Sequence, residues 1–328
     1  MEQIISLAAS NLLSPIILSF ALGVAAALAR SDLSIPEAAA KALSIYLLFA
    51  IGFKGGVSVA AHGVDATLGM SLLAGIILSA ILPIVAFGLL SVMTGLSRLD
   101  AAAVAAHYGS ISIVTFVAAT SVLESRGIAS EGFMVAVAAA MEAPAILSAL
   151  WLVSRGAKGE EARGMDGALI REILLNGSIV LLVGAFMIGW ITGEEGLAEI
   201  SSFIVSPFKG VLCLFLLDMG LVAGRGLRGG GGILSPNVLV FGVLMPVIAA
   251  AFGLAGGLLL GLSTGGLMLL MTLSASASYI AVPAAMRVAL PEANPSLYLT
   301  LSLGVTFPFN LTLGIPIYLA VALAVTGG

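Results

Sequence analysis

Charge is scarce in this chain: only 9% of its 328 residues are Asp, Glu, Lys or Arg. A soluble domain covers its surface with about 25% charged residues, so this scarcity excludes a water-soluble fold. Histidine is nearly absent. The two present, His62 and His107, cannot supply a His-rich metal site. The single cysteine, Cys213, has no intrachain partner for a disulfide and reads as a small core hydrophobe within an apolar stretch. No HExxH or CxxC pattern occurs, so the common metal and redox constellations are missing. The net charge of −4 is spread out, and no basic cluster points to nucleic acid. No basic stretch precedes the first apolar run, so no cleavable leader is expected.

What fills the chain instead is apolar: 60% hydrophobic residues and a mean hydropathy of +1.19. A hydrocarbon core takes about 20 apolar residues per helical span, which allows about ten spans here. They are expected near 12–29, 41–60, 68–93, 99–123, 131–153, 170–191, 208–224, 236–260, 265–289 and 297–325. Forty glycines would weaken helices in water, but in lipid small residues let helices approach closely. Cationic residues fix the orientation. With the N-terminus outside, the inner loops hold Arg30, Lys41, Arg98, Arg155, Lys158, Arg163, Arg171, Arg225, Arg228 and Arg287. The outer loops hold only Arg126 and Lys209, and Lys54 lies within a span. This bias is a positive-inside signal, which puts both termini on the periplasmic side of an inner membrane.

The second half repeats the first. Residues 96–123 align with 262–289, so that Gly109-Ser110-Ile111-Ser112 falls on Ala275-Ser276-Ala277-Ser278. Gly52 and Gly56 match Gly220 and Gly224, Pro83 matches Pro246, and Pro144 matches Pro308. Five spans per copy turn the second copy upside down. The expected fold is therefore an all-α membrane protein of two inverted five-helix repeats, each with a broken helix. Residues 1–153 form the first repeat, 154–169 a cytoplasmic linker and 170–328 the second repeat. The linker carries mixed charges and glycines without an apolar face, and the loop Arg228-Gly229-Gly230-Gly231-Gly232 is expected as a second cytoplasmic linker. That glycine tract lacks the following Lys-Ser/Thr of a phosphate cradle and reads as a plain linker.

The chemistry is expected at the two matched interruptions. Gly and Ser unwind a helix at low cost, and unwound backbone at membrane depth needs protein or a water-filled cavity around it. A half-helix starting there presents free N–H groups and the positive end of its dipole. Two such ends facing each other make a seat for a small anion without a buried Lys or Arg. Candidate anion-binding residues are Gly109, Ser110, Ile111, Ser112, Ala275, Ser276, Ala277 and Ser278. Packing by small residues is the alternative for either segment alone; their repetition favours the seat. Glu142 precedes Ala143-Pro144, where the proline ring frees a carbonyl. The other copy reads Thr306-Phe307-Pro308-Phe309-Asn310 at that place. Carbonyl, hydroxyl, amide and carboxylate oxygens suit a sodium ion, so Thr306, Asn310 and Glu142 are its candidate ligands. A buried, hydrogen-bonded carboxyl is an equal alternative for Glu142. Lys54 and Asp218 read equally as a structural ion pair or as functional charges. His107 reads as a neutral histidine bonded to backbone rather than a proton relay. A Ser110–His107 dyad fits one helix face, and nothing completes a triad.

Several motifs carry a family resemblance. They are Leu13-Ser14-Pro15, Arg30-Ser31-Asp32-Leu33-Ser34-Ile35-Pro36, and the run from Tyr46 through Phe53-Lys54-Gly55-Gly56. Ala106-His107-Tyr108-Gly109-Ser110-Ile111-Ser112-Ile113-Val114-Thr115-Phe116 and Ala275-Ser276-Ala277-Ser278-Tyr279-Ile280-Ala281-Val282-Pro283-Ala284 belong with them. So do Pro291-Glu292-Ala293-Asn294-Pro295-Ser296-Leu297-Tyr298 and Gly304-Val305-Thr306-Phe307-Pro308-Phe309-Asn310. Over nearly the whole chain, they resemble the sodium-dependent bicarbonate transporter family, SbtA type. The resemblance implies bicarbonate uptake coupled to Na+, with no organic cofactor, by a homotrimer of gate and core parts. It places the anion between the two broken helices and implies a cytoplasmic PII-like regulatory protein as partner. The linker at 154–167 is short for this family. Bicarbonate comes from the resemblance alone. The residues themselves leave open another small anion, such as a monocarboxylate or sulfate, coupled to sodium or protons. An intramembrane enzyme built on Ser110 and His107 is the more distant alternative.

Overall fold

The structure is a computed structural model and describes residues 13–63, 65–154, 171, 175, 177–229, 234–279, 282–283, 286 and 290–327. Apart from Ser154 and Gly229 at their edges, the expected linker 154–169 and the glycine tract lie outside the described residues. Among the described residues all regular structure is helical. The first part holds α1 (Pro15–Leu28), α2 (Glu37–His62), α3 (Ala66–Met93), α4 (Arg98–His107), α5 (Ile113–Ser125), α6 (Met134–Ala140) and α7 (Pro144–Ser154). The second holds α8 (Gly177–Ile204), α9 (Phe208–Gly229), α10 (Pro236–Leu260), α11 (Thr264–Ala275) and α12 (Pro295–Leu301). The last stretch runs on through a π-turn segment (Ser302–Thr306), α13 (Phe307–Phe309), a second π-turn segment (Asn310–Gly314) and α14 (Ile315–Thr326).

Seven helical stretches among the described residues are long and apolar enough to cross a membrane, against the ten spans expected. The difference lies where helices are short or interrupted: Pro15–Leu28, Ile113–Ser125 and Thr264–Ala275 are apolar but fall below spanning length. Helix starts follow their capping residues. Ser14, Asp65, Ser97, Ser235 and Ser263 each accept a hydrogen bond from the amide three residues on, which satisfies a first-turn N–H that the helix itself cannot. The sixth expected span ends at 191, whereas α8 continues to Ile204 around a corner at Gly193 (φ 61°, ψ −150°). Only glycine adopts that conformation readily. The corner brings Phe203 back to α2, where the Tyr46 hydroxyl donates to the Phe203 carbonyl and the rings meet edge to face.

Small residues set two helix seams. Helix α1 packs on α9, and α2 packs on α8. In the first seam Gly23 meets Gly220; a Cβ at Gly23 would lie 2.8 Å from the Leu221 nitrogen, and one at Gly220 would lie 3.0 Å from the Val24 nitrogen. In the second, a Cβ at Gly52 would lie 2.6 Å from the Leu182 carbonyl oxygen. In lipid such close backbone approach replaces the hydrophobic drive. Gly220→Ala is therefore expected to part α1 from α9 and destabilise the protein by about 1–3 kcal/mol, read as a lower melting temperature in detergent; an unchanged value would refute the seam. Elsewhere Leu73, Ile77 and Ile84 on α3 and Val240, Val243 and Val247 on α10 are exposed, as suits faces turned to lipid.

Polar bonds between helix ends fall into two sets. Arg225 donates to the Leu33 carbonyl, Arg228 to the Ala27 carbonyl, Arg98 to the Leu152 carbonyl and Asn237 to the Met93 carbonyl, while the Asn294 amide donates to Asp100. The other set joins Glu131 to the Ser263 amide and hydroxyl, and Thr264 to Thr326. Between them lies the core. Residues 101–119 and 265–279 are buried without interruption, so both expected interruptions sit at the centre of the molecule.

Candidate functional site

Both interruptions occur where the sequence places them. Helix α4 ends at His107 and α5 begins at Ile113, while α11 ends at Ala275 and residues 276–279 are non-helical. The two breaks interlock. The Ser278 amide donates to the His107 carbonyl at 2.8 Å, and the Ser112 amide donates to the Ser276 hydroxyl oxygen at 2.9 Å. Ser276 in turn donates to the Leu273 carbonyl. Ser112 caps α5 by accepting from the Thr115 amide at 3.2 Å and from the Thr115 hydroxyl at 2.9 Å. Ser278 accepts from the Val282 amide at 3.5 Å. Most of residues 280–289, where the second half-helix is expected, lie outside the described residues.

These bonds leave groups over. Ser110 Oγ, Ser274 Oγ and His107 Nε2 are buried and have no hydrogen-bond partner among the described residues. The amides of Ile113 and Val114 open α5, where no helical carbonyl can reach them. Buried polar groups are normally paired, and each left unmade costs about 1–3 kcal/mol. Orphaned donors at a helix start mark a place for acceptor oxygens.

His107 follows the expected backbone-bonded reading: its Nδ1 lies 2.7 Å from the Ala103 carbonyl, and its ring stacks on Tyr298. A carbonyl only accepts, so Nδ1 carries the proton and Nε2 is left as an acceptor. Because Ser110 Oγ and His107 Nε2 are both unpartnered among the described residues, they are not bonded to each other.

Gly109, one of the anion candidates, packs against α3. A Cβ there would lie 2.6 Å from the Ser79 carbonyl oxygen and would strike the Pro83 ring. The Ser79 hydroxyl donates to the Met141 carbonyl at 2.6 Å and accepts from the Ala145 amide at 3.1 Å. One turn of α3 thus supports two breaks, the α4–α5 gap and the α6–α7 gap at residues 141–143. Glu142 stands in the latter gap, 4% exposed, with Oε2 unpartnered among the described residues. Ile111, Ala275 and Ala277 are buried at the crossing.

Thr306 and Asn310 tie the last stretch to both breaks. The Thr306 hydroxyl donates to the Gly242 carbonyl at 2.7 Å and lies 2.6 Å from the Tyr108 hydroxyl, which must then be the donor. Asn310 donates through Nδ2 to the Ala275 carbonyl at 2.9 Å, and its Oδ1 accepts from the Tyr318 hydroxyl at 2.9 Å. Thr306 Oγ1 and Asn310 Oδ1 each keep one lone pair. The π-turn segments flanking Phe307–Phe309 widen the helix, a distortion common at functional sites. No hydrogen bond joins Glu142 to Thr306 or Asn310 among the described residues. Sequence reasoning gave no role to Tyr108, Tyr318 or Ser274. Tyr318 could have been found from its spacing, since it follows Asn310 by about two helical turns on one face.

Lys54 and Asp218 do not pair, against one of the two readings held for them. Lys54 Nζ lies 3.1 Å from Glu124 Oε1 and sits over the Phe208 ring. Asp218 is buried on α9. Sequence alignment placed the two in matching spans, but matching spans of a repeat need not touch: α2 packs mainly on α8 and α9 mainly on α1. The Lys54–Glu124 bridge is partly exposed on both sides, so Glu124→Gln is expected to cost at most about 1 kcal/mol in a thermal-unfolding comparison.

A family model described as the Na+-dependent bicarbonate transporter superfamily matches residues 15–323. No curated protein matches the chain.

Proposed function

The chain belongs to the Na+-dependent bicarbonate transporter superfamily, and on that footing we propose that it is a secondary active symporter that takes up bicarbonate with sodium by alternating access. The interlocked crossing with its leftover donors carries the reading. Bicarbonate is flat, singly charged and rich in acceptor oxygens. Ser110 Oγ, unpartnered among the described residues, and the Ile113 and Val114 amides, which open α5, offer donors to it, and the α5 dipole favours its charge. The Ser112–Ser276 bond and the bond from the Ser278 amide to the His107 carbonyl shape the crossing, and Ala275, Ala277 and Ile111 wall it. Sodium is held by the spare lone pairs of Thr306 and Asn310, with Glu142 as a further oxygen donor. A cation beside the anion offsets its charge in a low-dielectric interior, so neither ion is held well alone.

We also infer the inverted repeat and its ten spans. Support comes from an exchange of partners: the first span packs on the seventh (α1 on α9), and the second packs on the sixth (α2 on α8). Swapping the two halves converts one seam into the other. The two sets of end-to-end bonds fit as well, because each set joins only ends that alternation assigns to one side. The seams form the static part, and the crossing rides in an elevator-like moving part. Positive-inside counting supports an inner-membrane setting with both termini outside. A homotrimer and a PII-like regulator rest on the resemblance alone.

Purified protein in liposomes tests the reading. An inward sodium gradient is expected to drive uptake of labelled bicarbonate, and replacing sodium by choline is expected to stop it. Sulfate or acetate carried in preference to bicarbonate, or uptake indifferent to sodium, would overturn it.

A further inference from the structure

A cavity of about 700 Å³ opens between the α1/α9 seam and the α5/α14 side of the core. Its lining includes Arg126 and Lys209, the only two cationic residues of the outer loops. No acidic residue is among the described residues that line it. The nearest carboxylate in sequence, Glu124, is engaged by Lys54. Lys209 forms no ion pair among the described residues. Ser121 also lines the cavity, is 4% exposed, and its hydroxyl has no partner among the described residues. At its other end the lining reaches Leu311, the neighbour of Asn310, whose amide holds the Ala275 carbonyl at the crossing.

We propose that this cavity is an outer vestibule that gathers small anions and leads them to the crossing, with Lys209 and Arg126 as its collecting charges and the Ser121 hydroxyl as a donor on the way. It rests on the reading above for which face is outer and what lies below. The physics is that of a one-signed cleft with low-dielectric walls, which focuses field and raises the local concentration and entry rate of the opposite charge by about 10- to 1000-fold. Among the described lining residues no acid offsets the charge of Lys209.

The protein carries its own reporter. Cys213 lines the same cavity, is partly exposed and is the sole cysteine. Its rate of labelling from outside can be compared for two thiol reagents of one size, 2-sulfonatoethyl methanethiosulfonate (anionic) and its trimethylammonium counterpart (cationic), each normalised to a free thiol in solution. The expected result is about a tenfold preference for the anionic reagent, shrinking with salt. Lys209→Gln with Arg126→Gln brings the ratio near one, whereas Lys209→Arg keeps it. A ratio near one in the unaltered protein, or no labelling from outside, overturns the proposal. Anionic lipid could offer the same chemistry to the two cations. If phosphatidylglycerol vesicles suppress labelling that phosphatidylcholine vesicles permit, the cavity is a lipid seat and the vestibule is refuted. Labelling needs no flux. A protein that shows the ratio but carries no bicarbonate retains the vestibule and loses only the substrate proposed above.

Discussion

Ser110→Ala is expected to weaken bicarbonate uptake about ten- to hundredfold in KM while leaving the melting temperature unchanged or slightly higher. A hydrogen bond to a charged partner contributes about 1.5–3 kcal/mol, which sets the size of the loss. The stability half of the prediction follows from the absence of a native bond to break: Ser110 Oγ is fully buried and has no partner among the described residues. Removing an unpartnered buried hydroxyl relieves a desolvation penalty. Ser112 is the contrast. It caps α5 and accepts from the Thr115 hydroxyl, so Ser112→Ala is expected to lower the melting temperature as well as uptake. Equal stability losses in both variants, or undiminished uptake by Ser110→Ala in labelled-bicarbonate assays, would count against Ser110 as a donor to the anion.

Asn310→Ala carries the second large effect. It strands two buried groups at once, the Ala275 carbonyl and the Tyr318 hydroxyl. At about 1–3 kcal/mol for each unpaired group, a loss of at least tenfold in uptake is expected. The same change removes a proposed sodium oxygen, so the apparent affinity for sodium should fall too. Tyr318→Phe separates these contributions. It frees the Asn310 oxygen but keeps the tether to Ala275, and should leave the sodium dependence close to that of the unaltered protein. A sodium series that weakens equally in both variants would make Asn310 a structural clasp and not a ligand.

The breaks were legible in the sequence because they repeat. Ser110 or Ser276 alone reads as helix packing, whereas Gly109-Ser110-Ile111-Ser112 over Ala275-Ser276-Ala277-Ser278 marks one feature used twice. The backbone crossing between His107 and Ser278 was not legible. Periodicity reports which face of a helix is apolar, not which gap meets which. For the same reason alignment suggested a Lys54–Asp218 pair, and the fold gave Lys54 to Glu124 instead. The Tyr108–Thr306–Gly242 chain escaped as well, since a buried tyrosine advertises bulk in a sequence and reveals its hydroxyl partner only in three dimensions. The close packing of Ser79 and Pro83 on Gly109 was not legible either, since a sequence does not say what lies where a side chain is missing.

A density map of the protein with sodium and bicarbonate both present tests the seat most directly. Compact density about 3 Å from Ser110 Oγ and from the Ile113 and Val114 amides is expected, absent when chloride replaces bicarbonate. Dry packing at that crossing, with bicarbonate density found elsewhere in the molecule, would contradict it.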